Sequence, residues 1–109
     1  MILWSRVNEL RDEVGAEDFD EVVELFMEEV GDAIEHLRSD AGGDLEQALH
    51  FLKGSALSLG FEAFSDACQQ GEREAAAGHA ARVDIGAIIA IFERSRTEFL
   101  SGLPLHGPV

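Results

Sequence analysis

Basic residues are scarce in this chain. Eight Lys plus Arg stand against 22 Asp plus Glu in 109 residues, a formal net charge of −14. A nucleic-acid binder needs a basic face to neutralise phosphates, so that class is excluded, and anionic membrane surfaces are disfavoured for the same reason. Cysteine is scarcer still: Cys68 stands alone and cannot close an internal disulfide, which fits a reducing, cytoplasmic setting. Long apolar runs are missing. The longest nearly apolar stretch, 85–92, is eight residues, where a membrane-spanning helix needs about 20. Met1-Ile2-Leu3-Trp4 is apolar, but Arg6, Glu9, Arg11 and Asp12 interrupt it before a signal-peptide core can form. Proline occurs only at Pro104 and Pro108, so everything before them is free to be helical.

What is present suits one packed domain. Apolar residues make up 46% of the chain, too many for a disordered acidic tail. A domain of this length has a radius of gyration of roughly 13 Å. The acid is unevenly spread. Residues 1–49 carry 15 acids and 3 bases, while residues 50–109 carry 7 and 5. Any chemistry on an anion is therefore expected in the second half.

Helical periods dominate. Leu3, Val7, Leu10 and Val14 step by 4, 3 and 4 to a stop at Gly15. Asp18 and Glu21 have the spacing of a capping box, ahead of an apolar stripe of Phe19, Val23, Phe26, Val30, Ile34 and Leu37. Residues 39–43 read as a loop. Asp44 and Gln47 repeat the capping pattern before Leu45, Leu49, Leu52, Ala56 and Leu59, with Gly60 as the stop. A fourth helix is expected from about Glu62 to Ala77, with Phe64, Ala67, Cys68, Gly71 and Ala75 inward. A fifth carries Ile85, Ile88, Phe92, Ser95 and Phe99 and ends near Gly102. No alternating pattern competes, and short connections favour antiparallel neighbours. The expected fold is all-α: an antiparallel up-down-up-down four-helix bundle over about 18–101, capped by an additional short N-terminal helix. With no internal repeat and no dividing linker, 1–102 reads as a single domain and 103–109 as a tail.

The third helix carries the chemistry. His50 is rotated by about 200° from Leu52 on an ideal helix, so it faces away from the core stripe. Lys53, Gly54 and Leu57, at i+3, i+4 and i+7, share its face. A mid-helix glycine costs about 1 kcal/mol against alanine. Its gain here is access: without a side chain one turn from the imidazole, a phosphoryl group or a partner's backbone can come close. A free imidazole is largely neutral and nucleophilic near pH 7. Lys53, the sole lysine, can stabilise an arriving phosphoryl as a point charge. If Gly60 and Phe61 form the turn, position 50 lies opposite about position 72, both being 11 residues from 61. Glu72 could then accept a hydrogen bond from one ring N–H and leave the other nitrogen its lone pair. It could equally be a solvated charge or pair with Arg73 or Lys53, and Gln69 could take the orienting place. His36, His79 and His106 lack the Lys-Gly context and read as solvated, and Gly31 as an ordinary helical glycine. Cys68 reads as a small core residue. Phe51 and Leu57 are candidates for partner docking.

Over His50-Phe51-Leu52-Lys53-Gly54-Ser55-Ala56-Leu57-Ser58-Leu59-Gly60 the chain resembles the signature of histidine-containing phosphotransfer (Hpt) domains, H-x-L-K-G-S-[AS]-x-x-L-G, at every specified position. Cys68 to Glu72 is similar to the family's C-x-x-L-E, with Gly71 standing where the family has Leu. The resemblance spans about 18–101 and is most specific over 50–72. It implies a four-helix bundle whose exposed histidine, here His50, is transiently phosphorylated at a ring nitrogen. It also implies receiver domains of response regulators as partners, with a hybrid histidine kinase as a further one.

The expected function is a phosphorelay carrier rather than an enzyme: His50 takes a phosphoryl group from a receiver phosphoaspartate, or from a histidine kinase system, and passes it to another receiver aspartate. No glycine-rich phosphate loop or kinase signature provides a nucleotide site. No cofactor or metal is expected on this monomeric chain, and the Mg²⁺ for the reaction would sit on the receiver partner. The nearest variant is the phosphorylatable first module of a chemotaxis-type kinase; 109 residues leave no room for the kinase itself. Two other classes compete. A metal-binding bundle could draw on Glu46, His50 and Glu72, but the Glu-x-x-His pairs of di-iron bundles are missing and Lys53 would repel a cation. A scaffold with a vestigial motif is opposed by the intact His-Lys-Gly trio.

Overall fold

Gly15 ends one helix and starts the next. The computed structural model describes residues 2–39 and 44–106; of the loop expected at 39–43, Ser39 is helical and 40–43 lie outside the described residues. Gly15 sits at φ 88°, a region L side chains avoid, and its N–H closes α1 (Trp4–Val14) on the carbonyl of Arg11. Its own carbonyl accepts the N–H groups of Asp18 and Phe19, so α2 (Ala16–Ser39) begins at once. The capping box expected at Asp18 is therefore corrected. Asp18 lies inside the first turn with Glu17, where both carboxylates face the positive end of the helix dipole.

Asp44 does cap α3 (Leu45–Leu59), its Oδ1 accepting the Gln47 N–H at 3.1 Å. The helix ends on Gly60 at φ 83°, whose N–H reaches the carbonyls of Ala56 and Leu57. The Leu3 N–H donates to the Gly60 carbonyl at 2.7 Å, which ties the entry to α1 to this turn. Phe61 follows as the start of α4 (Glu62–Ala76). After a short 3₁₀ turn at Ala80–Arg82, α5 runs from Ile85 to His106.

α5 outruns its expected end by four residues, so the tail expected from 103 is helical as far as 106. Gly102 is a packing site and not a stop. A Cβ there would run into the ring of Trp4, which stacks on Phe99 at 5.8 Å with planes 3° apart. Pro104, in the last turn, removes a single N–H.

The expected stripes form the core. Phe19, Val23, Val30, Ile34 and Leu37 of α2 are buried with Leu49, Leu52, Ala56 and Leu59 of α3. Phe64 and Cys68 of α4 join Ile88, Ile89, Phe92 and Phe99 of α5. Phe61 is the hub, with ring contacts to Phe26 (5.2 Å), Phe99 (5.3 Å) and Phe92 (6.2 Å). Burying a Phe side chain contributes roughly 1.5–3 kcal/mol. Ser95 is buried among these groups, its hydroxyl without a hydrogen bond.

Helix pairing follows from the contacts. His50 faces Glu72 across α3 and α4, and a Cβ on Gly71 would lie 2.8 Å from Leu49, so these helices run in opposite directions about the Gly60 turn. Phe64 meets Phe92 while Gly71 faces Ile88, which sets α5 against α4 in the same way. Gly71 is thus explained by packing. Leu49, Ile88 and Val83 fill the space a side chain would need. The radius of gyration is 14.4 Å and the molecule is 47 Å long, because α2 and α5 alone span about 36 and 33 Å at 1.5 Å per residue.

Burial pushes the Cys68 thiol up to about 12, with the Glu72 carboxylate adding to the shift. In the folded protein Cys68 should resist iodoacetamide at pH 8 and react fully once denatured, as mass spectrometry would record. Labelling of the native protein at the denatured rate would contradict this placement.

Candidate functional site

The site is built where α3 and α4 lie side by side. Leu49 and Leu52 anchor α3 in the core, which turns His50 outward with its side chain 69% exposed. On α4, Cys68 and Gly71 point inward and leave Glu72 at the seam between the helices, its side chain 19% exposed. Both residues are 11 positions from Phe61, and the turn brings them together. His50 Nδ1 donates to Glu72 Oε2 at 2.9 Å. A carboxylate only accepts, so the ring is held as the Nδ1–H tautomer and Nε2 keeps its lone pair.

Lys53 takes the other oxygen. Its Nζ lies 2.9 Å from Glu72 Oε1, an ion pair whose carboxylate oxygen is shut off from solvent. Lys53 first, and then His50, hold the Glu72 carboxyl below its ordinary value of 4.5, against a smaller opposing effect of burial. Of the alternatives open for Glu72, two therefore hold at once, the bond to His50 and the pair with Lys53. Lys53 shares a face with His50, as its spacing requires, but it is directed at the carboxylate they share. Spacing along one helix could not reveal that competition.

The remaining candidates sort by geometry. Gly54 is exposed, and a Cβ added there meets nothing within 4 Å. Neither packing nor a positive φ calls for glycine. Gly31 in α2 is equally open, so what distinguishes Gly54 is its place one turn from His50. Gln69 is half-buried and makes no hydrogen bond to His50. Phe51 and Leu57 are exposed at 47% and 54%. His36 and His79 are exposed, His36 Nδ1 lying 3.1 Å from the Asp32 carbonyl, and the side chain of His106 lies outside the described residues. Glu46 is exposed, and no group of three or more His, Cys, Asp or Glu is arranged for a metal among the described residues. No helix among them is long and apolar enough to cross a membrane.

Glu72 is held ionised, so its contacts contribute fully near neutral pH and are lost as the pH falls through its depressed value, below 4.5. Ring ¹⁵N shifts at pH 7.5 should therefore show Nδ1 protonated and Nε2 bare in the wild-type protein. Glu72→Ala should give a mixture in which the Nε2–H form prevails, and an unchanged spectrum would remove Glu72 from tautomer control.

Residues 21–98 match the family model described as "Hpt domain". No curated protein and no solved structure matches the chain. With more than half its length matched, the chain belongs to the Hpt domain family, the histidine phosphotransfer carriers of phosphorelays.

Proposed function

We propose that His50 is the phosphoacceptor and that it shuttles a phosphoryl group between receiver-domain aspartates. The observation that carries this reading is the ring itself: Nδ1 is committed to Glu72 while the side chain is exposed beside a residue that has no side chain. In the forward step the Nε2 lone pair attacks phosphorus, the N–P bond forms, and the acyl P–O bond breaks with its electrons returning to the aspartate carboxylate. No proton leaves. Nδ1–H stays on the ring, which becomes a phosphoimidazolium, and the Glu72 carboxylate faces the new positive charge. The return step reverses these events on a second receiver. The receiver partner holds the Mg²⁺ for both.

Gly54 leaves room for the incoming group, and Phe51 and Leu57 offer apolar surface to the docking partner. A hybrid histidine kinase upstream and a reducing cytoplasm as the setting complete the proposal; the lone thiol fits the latter.

His50→Gln should abolish uptake of ³²P from a phosphorylated receiver domain while leaving the circular-dichroism spectrum unchanged. Continued uptake would move the acceptor elsewhere. Gly54 separates access from stability. Gly54→Ala should raise stability by about 1 kcal/mol through helix propensity, whereas Gly54→Leu should keep the fold and slow transfer by about ten-fold or more. Equal transfer by Gly54→Leu would refute the access argument.

A further inference from the structure

Lys53 is the only lysine in the chain, and in the unloaded protein it is already engaged. Its ammonium lies 2.9 Å from Glu72 Oε1, an oxygen shut off from solvent for which Lys53 is the cation. A cation held there is not at the phosphoryl group. Moving it away with nothing in exchange would leave a buried carboxylate oxygen uncompensated, which is costly in any protein interior.

The transfer step supplies the exchange. When Nε2 attacks phosphorus the ring gains a positive charge, and its Nδ1–H already lies on Glu72 Oε2 at 2.9 Å. We propose that Glu72 exchanges cations during transfer: Lys53 balances it while His50 is unloaded, and the phosphorylated ring balances it once His50 is loaded. Lys53 is thereby released to the phosphoryl oxygens. Glu72 is a positioning residue in this scheme, keeping the cation one side-chain swing from its destination. The scheme rests on His50 being the phosphoacceptor.

The test uses phosphoramidate, a small donor that needs no protein partner. Nε2 attacks its phosphorus, the donor's P–N bond breaks, and ammonia leaves. Loading is read by ³¹P NMR, and ¹³C,¹⁵N-lysine labelling reports Lys53 alone because no other lysine contributes. Glu72→Gln keeps an oxygen to accept from Nδ1–H and, in place of the oxygen that holds Lys53, sets an uncharged NH₂ that cannot accept from the ammonium. The Lys53 signals of wild type and Glu72→Gln should differ before loading and converge after it. Wild-type signals that stay put on loading would overturn the exchange and leave His50 as acceptor intact. A missing phosphohistidine signal would instead overturn the acceptor assignment and the exchange with it.

Rates add a second arm. Lys53→Met should slow phosphoramidate uptake by about ten-fold or more in both the wild-type and the Glu72→Gln background. A slowing confined to the wild-type background would mean that Lys53 serves only to neutralise Glu72, and the exchange would fail.

Discussion

The turn at Gly60 is the constraint on which the rest depends. Its left-handed backbone ends α3, lets α4 start within two residues, and sets the register between them. A side chain at that position would also meet the Leu3 carbonyl at 2.7 Å, so the same residue admits the N-terminal segment. Phe61 then plants its ring among Phe26, Phe92 and Phe99. Moving the register by one residue would rotate Glu72 by about 100°, away from the seam, and its carboxylate would no longer reach His50. The geometry of the ring is decided ten residues away from it.

Much of this was legible in the residues. The stripes from Phe19 to Leu37 and from Leu49 to Leu59 lie in the core because burial follows the 3.6-residue period directly. Counting equal distances from Phe61 brought Glu72 to His50 because a tight turn between two helices leaves little freedom of register. Elsewhere local signals had more than one use. Asp18 has the chemistry of a cap, but the second helix starts directly after Gly15, whose carbonyl accepts the N–H groups of Asp18 and Phe19. Gly102 has the look of a stop, but its missing side chain serves the Trp4 ring. Lys53 was legible as a neighbour of His50, and its pairing with Glu72 only as one alternative among several. Spacing gives distance along one helix, whereas the choice among acceptors depends on rotamers and on burial across two.

Charge is arranged around the same seam. The first 49 residues carry most of the acid, and α2 presents much of it to solvent, including Glu17, Asp20, Glu24, Glu28 and Glu35. Such a surface favours solubility and deters non-specific association with other acidic proteins. At the site the balance is local: one carboxylate, one ammonium and one imidazole lie within two contacts of 2.9 Å. The field of the whole chain opposes an approaching phosphate, so a cation that offsets it has to act at short range, where screening by salt is weakest.

Trp4 lies against Gly102 and Phe99, and Leu3 is bonded to the Gly60 turn. The start of the first helix and the closing turns of the last therefore emerge at one pole of the rod. His50, ten residues back along α3, faces sideways from its flank. Tethers attached at that pole would leave the flank clear. A rod whose two chain ends leave from one pole can be joined to other domains there without burying the exposed imidazole on its flank.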